Sequence, residues 1–349
     1  MSVPGKHVIR SDSTIEDALV QLNELSLDAL LIVVDNDGKL VGSLTDGDIR
    51  RSLIKHNFKL TNEVKKVLKT SPKFVRENDF DLDQVIKYRN NLVRILPVLD
   101  DDNKVIKIIN FRKLKSYLPV DALIMAGGRG SRLLPLTKKV PKPLLKIGDK
   151  SVIEHNLDRL ASFGIDNFWI SVNYLGEKIE ESVGNGEEKE IKIEFVYEDK
   201  PLGTLGAVGK IANFKHDYVL IMNSDIITNM DYEQFFLDCV RQDADMAIAT
   251  VPYEVGIPYA VLNTCKTRVL GLEEKPTYTY YSNAGIYLVK KSILDGLKVD
   301  GTFHATDLIT NLITEGKNVH SYPLTEYWLD VGSHSDFERA KKDIANLKF

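Results

Sequence analysis

Gly127-Gly-Arg-Gly130 follows an apolar run, Ala122–Ala126, that reads as a short buried strand. Glycines at a strand exit let the backbone take φ > 0 and bring its N–H groups against an anion. Six cations lie between Arg129 and Lys146 (Arg129, Arg132, Lys138, Lys139, Lys142 and Lys146), with no acidic residue among them. In a chain of formal net charge −4 this is a local field suited to a polyanion, and a nucleoside triphosphate is the obvious one.

Two familiar phosphate loops do not fit. A Walker loop needs G-x-x-x-x-G-K-[ST], and no Lys-Ser or Lys-Thr follows these glycines at that spacing. A dinucleotide fingerprint needs a third small residue, but Leu133 stands after Gly128-Arg-Gly130-Ser-Arg132. The string G-G-x-G-[ST]-R-L-x-P-x-T, with Pro141-Lys-Pro143 behind it, resembles instead the signature of the sugar-1-phosphate nucleotidyltransferases. Those enzymes join an NTP and a sugar-1-phosphate into an NDP-sugar.

The resemblance assigns roles to residues here. The backbone N–H groups of 127–130, with Gly127, Gly128 and Gly130, and the Arg132 side chain would hold the β and γ phosphates, Ala126 would line the nucleotide, and Lys142 would neutralise the α-phosphate. Asn223-Ser-Asp225 resembles the family's N-G-D element, and Tyr327-Trp-Leu-Asp330-Val-Gly its W-x-D-x-G block. Asp225 and Asp330 would together hold one Mg²⁺. An Asp leaving a buried strand is otherwise a common turn or capping residue. Leu272-Glu-Glu-Lys-Pro276 resembles the E-K-P element, in which Glu274 would accept from sugar hydroxyls and Lys275 would aim the sugar phosphate. Without the other motifs it would read as a solvated face. Ser282-Asn-Ala-Gly-Ile-Tyr287 resembles the strand lining the sugar site, with Asn283 and a close Gly285 backbone, and Asn173 and Tyr174 are further candidates. The implied chemistry is in-line attack of the sugar phosphate on the α-phosphorus, with catalysis by positioning and electrostatics and no general base.

These residues need a scaffold that brings strand ends together. After the glycine loop, Ser151–Phe163 is amphipathic, Asn167–Val172 a strand, Glu177–Val183 a short helix, Ile191–Tyr197 a strand, Leu205–Ile211 helical and Tyr218–Met222 a strand. Such alternation predicts an α/β fold with a mostly parallel, Rossmann-like sheet (GT-A-like by the resemblance), whose ligands sit beyond the carboxyl ends of the strands. Each candidate residue directly follows a strand.

The first third carries a repeat. Ala29–Arg50 runs strand, acidic turn, strand, helix, and Arg94–Lys115, sixty-five residues on, repeats it more weakly. The pattern resembles a pair of cystathionine-β-synthase (CBS) domains, α+β modules that often bind adenine nucleotides, spanning 1–60 and 61–118 ahead of a transferase domain at 120–349. Thr45 and Asp48 stand where CBS domains hold ribose hydroxyls, whereas the second copy has Asn110 and Lys113, and a Lys cannot accept from a ribose. AMP, ADP or ATP is the expected ligand. The alternative is a purely structural disc in which Thr45 and Asp48 cap a helix.

Length suggests about two domains, and 43% hydrophobic and 28% charged residues describe an ordinary soluble composition. No apolar run approaches the ~20 residues of a membrane span, and Met1–Arg10 lacks a signal-peptide core. Cys239 and Cys265 stand alone, so neither zinc nor a disulfide framework is expected. The expected setting is the cytoplasm, with no nucleic-acid or membrane partner and with homo-oligomers formed through the CBS or catalytic domains. No hexapeptide repeats follow Asp330, so a β-helical acyltransferase domain is not expected.

Base choice rests on Tyr197-Glu198-Asp-Lys-Pro-Leu-Gly203-Thr204, which resembles the loop passing the nucleobase in this family. Uridylyl- and thymidylyl-transferring relatives tend to carry Gln at the position of Glu198. Guanine offers adjacent N1–H and N2–H donors that a carboxylate accepts together, whereas uracil's one N–H lies between two carbonyls. GTP is therefore the expected nucleotide, with UTP or dTTP the alternative. The arrangement of a CBS pair before a transferase resembles glucosamine-1-phosphate guanylyltransferases of legionaminic-type acid pathways, which build cell-surface polysaccharides. The catalytic half also resembles mannose- and heptose-1-phosphate guanylyltransferases. A reading of another class is a CBS nucleotide sensor whose transferase domain is non-catalytic. The complete set of Arg132, Lys142, Asp225, Lys275 and Asp330 speaks against it.

Overall fold

The computed structural model describes residues 5–297 and 301–347. The chain divides into two compact units, one running to Leu118 and including Ser162–Gly164, the other comprising Pro119–Ala161 and Ile165 onward.

The first unit contains the repeat. Strands Val8–Arg10, Leu30–Val34 and Leu40–Thr45 form one sheet and Val75–Arg76, Ile95–Leu99 and Val105–Asn110 the other. In each, a parallel pair is followed by an antiparallel one. Leu40 N–H donates to Asn103 O and Val105 N–H to Gly38 O. Those positions interchange under the repeat offset, as a two-fold pairing requires. Ile32, Val34, Ile95, Leu99 and Val105 share one buried cluster. The copies differ after their last strand. Helix Asp46–His56 follows Thr45, but only turns follow Asn110, where the helix was expected. The Asn110 side chain accepts from Arg112 N–H, and Pro119 soon bars helical continuation.

The second unit is built on a seven-stranded sheet. From edge to edge it runs Lys192–Tyr197, Asn167–Val172, Val120–Ala126, Tyr218–Asn223, Thr277–Lys290, Met246–Gly256, Val319–Pro323. All pairings are parallel except those of Thr277–Lys290, which is antiparallel to both neighbours. The fold is thus α/β with a mostly parallel sheet, as expected. Val120–Ala126 is buried along nearly its whole length and apolar apart from Asp121, as befits a strand covered on both faces. The chain moves outward from this strand in one direction through Asn167–Val172 and Lys192–Tyr197, then returns to its other side with Tyr218–Asn223. That reversal opens the crevice at the carboxyl ends of the two central strands, where such sheets bind ligands.

One element is tighter than expected. Gly206–Lys210 is a short 3-10 turn rather than an α-helix. Gly206 and Gly209 weaken helix formation, and a Cβ on Gly206 would lie 2.6 Å from Leu202 Cβ. Beyond Thr250 and Ser282 the strands Met246–Gly256 and Thr277–Lys290 leave the sheet as a two-stranded ribbon, joined to the hairpin Val261–Cys265 and Arg268–Glu273. No helix among the described residues is long and apolar enough to cross a membrane.

Candidate active site

The glycine loop leaves the sheet at Ala126. Gly130 adopts φ 61°, and a Cβ there would lie 3.0 Å from both Lys142 Cβ and Thr137 Cγ2, so the loop and the Pro-Lys-Pro turn close on each other only through a glycine. Thr137 Oγ1 donates to Gly130 O at 2.8 Å and fixes that closure. Gly128 faces open space. Tyr174, considered for the sugar, donates its hydroxyl to the Thr137 and Lys138 carbonyls and staples this loop instead.

Glu198 follows its strand directly and is 9% exposed. Its Oε2 accepts Leu202 N–H at 3.0 Å, and its Oε1 lies 3.2 Å from where a Cβ of Gly127 would stand. Asn173 donates from Nδ2 to Glu198 O at 2.7 Å, and its Cβ lies 3.5 Å from where a Cβ of Gly127 would stand, so it joins the glycine loop to the Glu198 loop. Gly203 adopts φ 83°, and a Cβ there would meet Phe303 O at 2.5 Å. Thr204 Oγ1 accepts Ala305 N–H at the start of helix Ala305–Thr314. The loop Glu198–Leu205 is thereby clamped against Gly301–Ala305, a contact nothing in the sequence pattern announced.

The second cluster is the charged one. Strand Ile226–Thr228 pairs with Trp328–Asp330, placing Ile226 opposite Asp330, and Val331 N–H donates to Asp225 O. This short ladder is what brings two carboxylates a hundred residues apart in sequence to one point. Lys142 reaches both, with Nζ hydrogen-bonded to Asp225 Oδ2 and 3.6 Å from Asp330 Oδ1. Arg132 approaches from the loop. A Cβ on Gly332 would lie 3.4–3.5 Å from the Arg132 terminal nitrogens and 3.5 Å from Asp330 Oδ1. Burial and the neighbouring Asp225 charge push the Asp330 carboxyl above the usual Asp range, against the opposing pull of Lys142 and Arg132.

The turn carrying Asp225 is supported by buried polar groups that the sequence reading missed. Asn156 donates to Ser224 O, and Arg159 donates to the Asn229 and Met230 carbonyls. Both project from one face of helix Val152–Ser162, and polar residues on its apolar stripe were the available signal. Gly285 adopts φ 71°, and a Cβ there would come within 2.5 Å of Asn223 Nδ2. Trp328 Nε1 donates to Ala284 O, and Asn283 Oδ1 accepts Gly285 N–H. Gly285 thus packs against Asn223 and Ile226, which flank the turn carrying Asp225.

Glu274 and Lys275 are not brought to this cluster. They sit on the exposed ribbon, and neither has a hydrogen-bonded or ionic partner among the described residues. Eight residues of nearly continuous strand separate Lys275 from Asn283, roughly 25 Å at the usual rise.

The residues present fit a hard divalent cation. Oδ1 of Asp225 and Oδ1 of Asp330 are buried without a hydrogen-bond partner. Two carboxylates and no third His, Cys, Asp or Glu among the described residues suit Mg²⁺, which keeps several waters and takes phosphate oxygens.

In the first unit, a cavity of about 340 Å³ is lined by Asp28, Thr45, Lys69, Lys73 and Arg94 among others. Thr45 caps helix Asp46–His56 in a reciprocal box with Asp48, whose other oxygen accepts from Arg51. The capping alternative is therefore realised in the geometry, while Thr45 still borders the cavity. The equivalent Asn110 donates to Asp28, and Arg112 pairs with the same carboxylate.

The nucleotidyl transferase family matches residues 121–346, and the chain belongs to that family. The CBS domain family matches residues 4–55. A mannose-1-phosphate guanylyltransferase of Mycobacterium tuberculosis is 31% identical over 234 residues, 64% of each chain. A mannose-1-phosphate guanyltransferase of Yarrowia lipolytica is 32% identical over 224 residues, 62% of this chain and 61% of that one. The chain thus matches somewhat less than two thirds of the length of such relatives. Among solved structures, HddC from Yersinia pseudotuberculosis complexed with GMP-PN is similar at TM-score 0.51 and 25% identity, covering 64% of this chain and 99% of that one. A Bacillus anthracis protein described as a glucose-1-phosphate thymidylyltransferase, in complex with a sucrose, reaches TM-score 0.54 at 25% identity, covering 66% and 97%.

Proposed function

We propose that this protein transfers a nucleoside monophosphate from an NTP to a sugar-1-phosphate, with GTP as the donor, releasing pyrophosphate. The observation that carries this reading is the convergence of Arg132, Lys142, Asp225 and Asp330 beside an open glycine loop at the sheet's switch point. Loop N–H groups of 127–130 and Arg132 hold the β and γ phosphates, and Lys142 neutralises charge on the α-phosphate. Asn283 and the Gly285 backbone border the sugar. Asp225 and Asp330 would hold Mg²⁺, which would supply charge to screen the two phosphate groups from each other. Lys275 and Glu274 would reach the sugar phosphate and its hydroxyls only with the ribbon bent toward the site.

Glu198 supports guanine. Its Oε2 is engaged by Leu202 N–H, but a carboxylate has about four acceptor positions, so both oxygens can still accept from N1–H and N2–H. The names of the mannose-1-phosphate relatives point the same way. The thymidylyltransferase likeness is what favours dTTP as the second reading. Glucosamine-1-phosphate, for a legionaminic-type pathway, is the sugar suggested by the CBS-plus-transferase arrangement, with mannose- or heptose-1-phosphate beside it. The cationic cleft of Lys69, Lys73 and Arg94 suits AMP, ADP or ATP as a regulator. Homo-oligomers form part of the proposal, since exposed Leu262, Leu270, Leu272 and Tyr280 give the ribbon apolar surface to cover. The test is pyrophosphate release across four NTPs and a panel of sugar-1-phosphates. Turnover with GTP and a hexose- or heptose-1-phosphate is expected, and preference for UTP or dTTP would overturn the guanylyl assignment alone.

A further inference from the structure

Lys142 is placed where its phosphate role does not yet need it. The residue is 9% exposed, its ammonium lies against Asp225 Oδ2, and Asp330 Oδ1 is 3.6 Å away. In the resting protein the Lys142 ammonium is thus the cation that reaches both carboxylates, with Arg132 beside Asp330. The same two carboxylates are the groups that fit a divalent ion, and an ammonium beside such an ion on the same oxygens is repelled by it. Lys142 also has somewhere to go. Its Cβ lies 3.0 Å from where a Cβ of Gly130 would stand, so the side chain is rooted beside the glycine loop and can turn toward bound phosphates.

We propose that Lys142 is a resident counter-ion which the divalent cation displaces, and that displacement delivers its ammonium to the triphosphate. This rests on the proposed metal role of Asp225 and Asp330. Metal and nucleotide binding are then coupled through one side chain. Without metal the lysine is held by the carboxylates and the triphosphate loses a cation. Without nucleotide, metal must compete with the lysine and binds weakly.

The test is direct Mn²⁺ binding to the full-length protein without nucleotide, by calorimetry or by the paramagnetic resonance of free Mn²⁺. Lys142→Met keeps the length and removes the charge, and it is expected to bind Mn²⁺ on the order of tenfold more tightly than wild type. Lys142→Arg keeps a charge and should bind as weakly as wild type, which separates charge from packing. In wild type Mn²⁺ should strengthen GTP binding, and in Lys142→Met that gain should shrink. Unchanged or weaker Mn²⁺ binding by a folded Lys142→Met overturns the proposal. Asp225→Asn is the control. If wild type binds Mn²⁺ and Asp225→Asn does not, the metal assignment stands whatever Lys142→Met does. If Asp225→Asn binds as wild type does, the metal assignment fails and the displacement with it.

Discussion

Replacing Glu198 by Gln isolates base recognition from catalysis. Glu198 is 9% exposed, and one of its oxygens already holds the loop through Leu202 N–H. Gln retains one carbonyl acceptor, which can keep the Leu202 contact and so preserve the loop. The second acceptor becomes an amide donor facing the position proposed for guanine N1–H and N2–H, where two donors then meet. Exchanging a charged acceptor for a neutral group at a desolvated site costs about 1–3 kcal/mol, or roughly 5- to 150-fold in specificity. The assay is kcat/KM for GTP, UTP and dTTP in both proteins, with thermal melting to check the fold. The expected result is a fall of that size for GTP, with UTP and dTTP unchanged or improved. Unchanged selectivity in a folded variant would refute the role of Glu198 and move base reading to the backbone near Ala126 and Gly203.

Other expectations follow from the same geometry. Asp225→Asn should lower turnover by at least about 100-fold, because one ligand charge is lost at the reacting centre without a change of shape. Asp330→Asn should do the same yet melt higher than wild type at neutral pH. A carboxyl raised above its unfolded value contributes stability that is full below the usual Asp range and lost as pH rises through its folded value, and Asn carries no such loss. Equal melting of the two proteins from pH 4 to 7 would contradict this. Gly285→Ala should be strongly destabilising and nearly inactive, since φ 71° costs about 1–2 kcal/mol with a Cβ and the new methyl strikes Asn223 at the head of the Asp225 turn. Calorimetry of the full chain should show an adenine nucleotide binding in the Lys69–Lys73–Arg94 cleft, weakened by Arg94→Ala. No heat with AMP, ADP or ATP would leave the disc a structural module.

The sequence was most legible where covalent spacing and backbone conformation alone determine the outcome. The glycine loop, the parallel strands and the sixty-five-residue repeat depend on local pattern, and the structure has them. Asp225 and Asp330 were paired by resemblance, and the reason they meet is a three-residue ladder too short to show a period. What stayed hidden was tertiary. Asn173 and Tyr174 follow the same strand, yet one amide turns to Glu198 and one hydroxyl to the Thr137 turn, a difference decided by neighbours rather than by type. Phe303, Ala305 and Gly203 form a clamp across a hundred residues. Glu274 and Lys275 match a motif but stand in the exposed bend between the hairpin and the long ribbon strand. A motif fixes residue types, and a ribbon's bend is set by contacts outside it.

Nucleotidyl transfer at the Lys142–Asp225–Asp330 cluster leaves two phosphorus-containing products. Phosphorus NMR of GTP, a hexose-1-phosphate and Mg²⁺ with wild-type protein follows both at once. A nucleotide-sugar diphosphate and pyrophosphate should appear in equal amounts, and neither should appear with Asp225→Asn. No pyrophosphate from any of the four NTPs over a panel of sugar-1-phosphates, or wild-type rates in Asp225→Asn, would contradict the account.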